Sequence, residues 1–451
     1  MIGPRERRPL VLVTDVEERA SLAACRGLAQ AGYGISGASA DRPAPGHWSR
    51  SCSHRLRLPD PRVDQPGFVA GLELALRRTE HAVLLPGSDV STFVVSEQRE
   101  RLEPLTRIGL PDRVAVRTSL DKVRLLEEAR AAGLPAPPSV VCENGTDARA
   151  AIRELGLPVV VKPRGSYLPD GQQLRQQRVA LVENEDSLAD VLPSFGRPFV
   201  VQRFEECQQV VSCAGVMTAV GLVATIVARW SRRWPPRAGA TTFCQTIVPP
   251  SGLAEGVERL LGALGYQGIF ELELLERSNG RYAAIDLNPR VFGWLALALR
   301  AGVNLPALYC DWLCGRQVVP LTAPAGVRYR WEDGDVAHLL WQLRHGRPRA
   351  AASVLRPAAG TAHAYFALAD PGPLLARGLL LARKRLRRRP RAPHPSEGEA
   401  QERRGPAQDR AGEGLRAEPC AHDETHHWTE TPGGGAADDV EPRDRRFETG
   451  A

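Results

Sequence analysis

The residue types and spacing that bear most directly on chemistry lie between Gly268 and Arg290 (GIFELELLERSNGRYAAIDLNPR). Asn279-Gly280 is a strong hairpin signal for a two-residue type I′ turn. Such a turn pairs Ser278 with Arg281, and the register then sets Glu273 opposite Asp286 and Glu271 opposite Asn288. On the other side Leu272 faces Leu287 and Leu274 faces Ile285, so one face is apolar. Directly opposed carboxylates stand only ~4.5–5.5 Å apart at Cβ. At an effective dielectric of 20 their repulsion is on the order of 3 kcal/mol. A solvated sheet face, the plain alternative, would place Lys or Arg across from Glu. Oxygen donors converging without nitrogen or sulfur suit a hard cation, Mg²⁺ first. Arg290, directly after Pro289, is within reach of an anion held on that metal.

A second signal is a scarcity. Of the 59 Lys and Arg residues only three are lysine: Lys122, Lys162 and Lys384. Where Arg serves almost everywhere, a surviving Lys marks a place that needs a compact ammonium with rotatable donors. Lys384 sits in an arginine run and is incidental; Lys122 and Lys162 are candidates. Lys122 falls in the first turn of a helix capped by Ser119, where the dipole disfavours a cation and suggests a phosphate ligand. Lys162 ends a buried strand (PVVVKP) before the flexible stretch RGSYLPDG.

These groups need a scaffold, and the preceding residues supply alternating elements. PLVLVT reads as a short buried strand, Glu18 to Ala31 as a helix ended by Gly32, and Tyr33 to Ala38 as a second strand. A helix from Gly67 to Arg78 leads into strand Ala82 to Leu85. That is a parallel, Rossmann-type α/β unit without a GxGxxG fingerprint. Asp89, just past a strand's carboxyl end, lies where such sheets place ligands; the alternative is an ordinary helix N-terminal residue.

Composition narrows the classes. The 451 residues are 43% hydrophobic, as in a globular protein of several domains. The net charge of +7 is spread thinly and is no nucleic-acid footprint. The best apolar stretch, Val291 to Leu313, is broken by Arg300, Asn304 and Asp311, so no membrane span is expected. The apolar run after the N-terminal arginines is too short for a secretory signal, and a cytoplasmic protein is expected. Segment 374–389 could touch an anionic membrane peripherally, although a helix packed on the body with a solvated cationic end is the favoured reading. Residues 390–451, poor in apolar groups, read as a disordered tail.

Lys122, Lys162, the Phe199–Glu206 stretch and the acidic hairpin together resemble the ATP-grasp fold, over about residues 80–320. More narrowly they are similar to the carboxylate–amine ligases related to D-aspartate ligase and carbamoyl-phosphate synthase. IDLNPR is similar to that family's I-E-x-N-P-R, FELELL to its metal-bearing strand, and DKVRLLEEARAAGLPAPPS and VVVKP to its two lysine segments. The resemblance implies an α/β protein, α+β in the grasp part. A Rossmann-like domain (1–112) would precede a two-lobed ATP-grasp domain (113–325) and a mainly helical C-terminal region (326–389). It implies ATP between the lobes, with Lys122, Lys162 and Ser166 at its phosphates and Gln202, Arg203, Phe204 and Glu205 as the adenine hinge. Gln209 would stand at the ribose, where the family has an acid.

Glu273, Asp286 and Asn288 would hold one or two Mg²⁺, with Mn²⁺ as an alternative. Arg290 and Lys162 would act on the transferred phosphoryl group; Arg229, Arg232 and Asp89 would meet substrate, and Trp230 stands where a basic residue is common. The implied activity joins a small-molecule carboxylate to an amine through an acyl phosphate. Alternatives are a grasp-fold kinase or carboxylating enzyme, or a nucleotide-binding regulator without turnover. The resemblance leaves the substrates and the oligomeric state open.

Overall fold

A computed structural model describes residues 9–165, 167–170, 173–176, 179–205, 209–236, 239–355 and 360–388. Ser166 and the tail 390–451 lie outside them.

The N-terminal unit runs β1 (Leu10–Val13), α1 (Arg19–Gln30), β2 (Gly34–Ser39), β3 (His54–Arg57), α2 (Gln65–Arg78), β4 (Val83–Leu85), α3 (Asp89–Glu97), α4 (Arg99–Leu102) and β5 (Arg107–Ile108). Its five parallel strands are ordered β3-β2-β1-β4-β5. The chain therefore steps one way from β1 to β3 and then to the other side of β1. That reversal opens a crevice beyond the carboxyl ends of β1 and β4, where open α/β sheets bind ligands.

Two helices, α5 (Arg113–Leu120) and α6 (Lys122–Ala131), lead into a second unit. The cap of α6 is Asp121, which accepts from Val123 N and Arg124 N. Ser119, the cap expected from sequence, instead bonds back to Ala115 O at 2.7 Å. The carboxylate outcompetes the hydroxyl because it faces two free N–H groups at the chain reversal. The second unit comprises β6 (Ser139–Cys142), α7 (Gly145–Leu155), β7 (Val159–Pro163), β8 (Tyr167–Asp170), β9 (Gln173–Gln176), β10 (Ala180–Val182), α8 (Asp186–Val191) and β11 (Phe199–Arg203). Four of its strands form an antiparallel sheet, β10-β7-β11-β6. Alternation along β7 and β11 buries Val159, Val161, Phe199 and Val201 against α7. Val160 and Lys162 are thereby left on the opposite face.

The third unit holds β12 (Gln209–Thr218), β13 (Gly221–Trp234), β14 (Ala240–Thr246), α9 (Leu253–Ala263), β15 (Gly268–Glu276), β16 (Tyr282–Asn288), α10 (Leu295–Arg300), α11 (Leu305–Leu313), β17 (Leu321–Thr322), β18 (Arg328–Arg330), α12 (Glu332–Arg344), α13 (Pro348–Leu355), β19 (Ala362–His363) and α14 (Gly372–Arg388). Its eight-stranded sheet runs β16-β15-β12-β13-β14-β18-β19, with β17 beside β13. One core joins this sheet to the N-terminal unit through Val11, Leu22, Ile226, Phe292, Trp294 and Tyr329. The region 326–389 thus supplies strands of the main sheet as well as helices. α14 packs through Ala376 and Leu380 and leaves Leu375 and Leu379 exposed. No helix among the described residues is long and apolar enough to cross a membrane.

Asp370, next to α14, ties that segment to the N-terminal unit. Its Oδ2 accepts from Arg26 Nε at 3.0 Å and Ser49 Oγ at 2.7 Å, and its Oδ1 from Arg50 N at 3.0 Å. Burial raises its pKa, but the bonds from Ser49, Arg50 and Arg26 outweigh that and hold it below the usual carboxylate range. Removing one partner of such a cluster strands the others. Asp370→Ala is expected to cost about 3 kcal/mol, read as a lower urea-unfolding midpoint. Because the folded pKa is depressed, this stabilisation is present above the ordinary Asp pKa and is lost as pH falls through the folded value. An unchanged midpoint at pH 7 would contradict the role.

Candidate active site

The acidic hairpin forms with the expected rungs. Glu273 pairs with Asp286, Leu272 with Leu287, and Glu271 with Asn288. The route to that register differs from the sequence reading. Next to the turn Glu276 pairs with Tyr282 and Leu274 with Ala284, not Ile285. The turn spans Ser278-Asn279-Gly280, closed by Arg277 N to Arg281 O at 3.0 Å, with Gly280 at φ +73°. This is a three-residue loop with glycine in the left-handed region, not the two-residue turn. A bulge at Ile285 then restores the register of the functional rungs. It also frees the Ile285 side chain, which lines the cleft.

The carboxylates on this face differ sharply in surroundings. Glu271 is 3% exposed and fully engaged: it accepts from Ser212 Oγ at 3.1 Å, Asn288 Nδ2 at 3.1 Å and Trp294 Nε1. Asp286 Oδ1 accepts from Lys122 Nζ at 2.6 Å. Burial raises the Asp286 pKa, but Lys122 outweighs it and keeps the group below the ordinary range. Burial likewise lowers Lys122, but Asp286, helped by Glu273 and Asp89, leaves it raised. For Glu273 the relief from Lys122 and Lys162 is too small: burial, then Glu271 and Asp286, push it well above the usual carboxylate range.

Lys122 is the first residue of α6, and its N–H donates to Arg164 O at 2.9 Å. Arg164 Nε in turn donates to Asp121 at 2.8 Å. These contacts tie the helix start to the loop after β7 and so bring Lys122 beside Lys162. Lys162 is 9% exposed. Burial, then the neighbouring Lys122, lower its pKa to about 8.

Two cavities meet at this face. One of 720 Å³ lies between the four-stranded and eight-stranded sheets, lined by Lys122, Lys162, Gln202, Arg203, Phe204, Glu205, Glu273 and Asp286. Its apolar walls are Val160, Leu181, Leu275 and Ile285. Gln202 is anchored by Nε2 on Ser139 Oγ at 2.9 Å, and Glu205 by Arg277 at 2.6 and 2.7 Å. The other cavity, of 350 Å³, opens toward the N-terminal unit and is lined by Arg19, Asp89, Glu271, Asn288, Arg290 and Trp294. Trp230, Ala240 and Glu273 border both.

Arg290 crosses between units. Its Nε donates to Asp89 Oδ1 at 2.6 Å, Nη1 to Val291 O at 2.8 Å and Nη2 to Asn288 Oδ1 at 3.2 Å. Asp89 therefore holds Arg290 rather than standing free for a ligand, and it is also the first residue of α3.

Three sequence candidates are not brought in. Arg232 is 11% exposed and bound by both guanidinium donors to Asp335, at 3.0 and 2.7 Å, because a bulge between Trp230 and Arg232 turns it toward α12. Arg229 bonds Glu276 at 3.0 Å, on the sheet face that buries Val227 and Leu274. Gln209 begins β12 opposite Glu276, exposed and outside both cavity linings. Conversely, sequence reading missed Val160, Leu181, Arg19 and Trp294. Val160 was accessible from the period of two, being two residues from Lys162; the others depend on long-range packing.

The donor set fits a divalent ion in part. Glu273 and Asp286 offer hard oxygens to the large cavity, while the Asn288 carbonyl, which accepts from Arg290 Nη2 at 3.2 Å, lies on the smaller cavity that Glu273 also borders. Glu271 is occupied and serves to orient Asn288. Among the described residues no three His, Cys, Asp or Glu side chains stand ready to hold a metal by themselves. Oxygens from a bound phosphate would complete the coordination, as is usual for Mg²⁺.

No family model matches the sequence. A D-alanine–D-alanine ligase of Chromohalobacter salexigens is 27% identical over 247 residues, 50% of this chain and 74% of the relative. The N5-carboxyaminoimidazole synthetase of Staphylococcus aureus matches in structure with a TM-score of 0.56 at 14% identity, covering 71% of this chain and 80% of that one. The biotin carboxylase domain of the 2-oxoglutarate carboxylase of Hydrogenobacter thermophilus, in complex with MgADP and bicarbonate, matches with a TM-score of 0.56 at 15% identity, over 72% and 74%. At such identities the structural likeness speaks to fold. With two sheets closing on one cleft behind a Rossmann-like unit, this chain has the ATP-grasp fold.

Proposed function

We propose that the protein is an ATP- and Mg²⁺-dependent ligase that joins a carboxylate to an amine. The observation that carries this reading is the Glu273–Asp286–Asn288 face opposite Lys122 and Lys162, at the meeting point of a cavity of nucleotide size and a smaller one. The D-alanine–D-alanine ligase relative supports carboxylate–amine joining over phosphorylation of an alcohol. A cytoplasmic location suits the demand for ATP.

The base would lie between Val160, Leu181, Leu275 and Ile285, with its polar edge at Gln202 and the strand end Arg203–Glu205. Lys122 and Lys162 would take the phosphates. Mg²⁺ held by Glu273, Asp286 and Asn288 would supply charge neutralisation on the phosphate oxygens. The substrate carboxylate oxygen attacks the γ-phosphorus and ADP leaves, giving an acyl phosphate. The neutral amine then attacks the acyl carbon, inorganic phosphate departs, and the amine proton passes to solvent or phosphate. No nucleophilic side chain is required. Cations preorganised around the transferring group provide the stabilisation. Arg290, fixed by Asp89, adds its charge on the substrate side.

Phosphate release from ATP and Mg²⁺, screened across carboxylate and amine pairs, tests the reading; release must require both partners and yield an amide. Lys162→Met and Asn288→Ala should each lower kcat about 100-fold or more, and unchanged release in both would remove the site assignment.

A pH effect follows from Lys162. Burial and Lys122 depress its pKa to about 8, and phosphate beside it would raise that value. Below pH 8 the lysine is already charged and ADP affinity should be flat. Above it, affinity should fall up to about tenfold per pH unit, measured by calorimetry without metal. Lys162→Arg should flatten the slope, whereas a flat native profile from pH 7 to 9.5 would contradict the assignment.

A further inference from the structure

The crevice beyond β1 and β4 contains a third cavity, of 110 Å³, which the ligase reading does not use. It adjoins the substrate-side cavity, with Glu18 and Ser88 bordering both. Its polar lining is anionic: Asp15, Glu17, Glu18 and Asp60, with Ser39 and Ser88. The cation among the described lining residues, Arg62, is engaged with Asp60 at 2.7 Å. Leu58, Phe68 and Val90 supply an apolar wall.

Two of these acids contrast. Asp15, 9% exposed, is the one non-glycine residue with positive φ among those described, at 56°. Its carboxylate is satisfied across the crevice by Thr14 Oγ1, by Ser91 Oγ at 2.9 Å and by Gly87 N at 3.2 Å. Glu17 is different: Ser39 bonds its carboxyl group, but its Oε2 is buried and finds no hydrogen-bond partner among the described residues. A buried carboxylate oxygen without a donor is costly unless a ligand supplies one. Burial and the adjacent Asp15 charge raise the Glu17 pKa to about 8, as expected of an anion lacking its counter-charge. No three of these groups could hold a metal ion, and the apolar wall suits methylenes.

We propose that the amine substrate is a dication, a diamine or basic amino acid, whose distal ammonium occupies this cavity beside Glu17 and Asp15 while its reacting amine reaches the metal-facing cavity past Glu18. This rests on the ligase reading for the reacting end only; the ammonium seat stands on its own geometry.

The test is calorimetric binding to the full-length, nucleotide-free protein of α,ω-diamines of three to six carbons against monoamines of equal length. At least one diamine should bind about tenfold or more tighter than its monoamine. Glu17→Gln should reduce that preference to under threefold, its amine-free melting temperature confirming the fold. Equal binding of every pair, or a full preference surviving Glu17→Gln, overturns the proposal. MgADP binding by the native protein is measured alongside. Its absence together with an intact diamine preference would sink the ligase reading while upholding the ammonium seat. MgADP binding without the preference would do the reverse.

Discussion

The cleft is organised by the cost of setting Glu271, Glu273 and Asp286 side by side on one sheet face. The three carboxylates are relieved to different degrees. Glu271 takes hydrogen bonds from Ser212, Asn288 and Trp294, so its charge is spent on orienting neighbours. Asp286 takes the ammonium of Lys122. Glu273 makes no hydrogen bond of that kind; Lys122 and Lys162 offset part of its repulsion, but burial, Glu271 and Asp286 outweigh them and hold its pKa well above the usual range, so a further cation would be favoured there. At separations near 5 Å the repulsion of two such charges is on the order of 3 kcal/mol at an effective dielectric of 20, a sizeable part of the net stability of a typical domain, about 5–15 kcal/mol.

The surrounding elements serve that demand. β7 and α6 bring two ammonium groups against the acidic face, and burial leaves Lys162 with a weakened hold on its proton. Two cations and an acidic triad at one cavity mouth make a place where a polyphosphate and its metal would each relieve the other's repulsion. The N-terminal unit contributes from the far side. Asp89 fixes Arg290, and Glu18 and Arg19, where the β1–α1 loop enters α1, line the smaller cavity. Trp230 stands between the two cavities, 7% exposed, its indole N–H unpaired among the described residues.

Much of this was legible in the sequence because it depends on local rules. Period-two alternation put Glu273 and Asp286 on one face, and the rarity of lysine singled out Lys122 and Lys162. The correct rungs nevertheless came from two compensating differences, a loop one residue longer than Asn-Gly suggests and a bulge at Ile285. Neither can be seen without the packing that favours them. Arg232 shows the same limit: its position in the chain suits a substrate contact, but a bulge one residue earlier delivers it to Asp335. Asp121 in place of Ser119 as cap, and the crevice between β1 and β4, follow from chain reversals that local periodicity does not encode. The apolar clamp was partly readable through Val160, whereas Leu181 comes from a strand whose partner lies far off in sequence.

The central claim is that Glu273, Asp286 and Asn288 gather a divalent ion at a nucleotide's phosphates, and Mn²⁺ paramagnetic resonance with ADP tests it most directly. With native protein the spectrum should show Mn²⁺ immobilised on the protein only when ADP is present, and Glu273→Gln with Asp286→Asn should return it to that of free Mn²⁺–ADP. A native spectrum already identical to Mn²⁺–ADP in buffer would contradict the account.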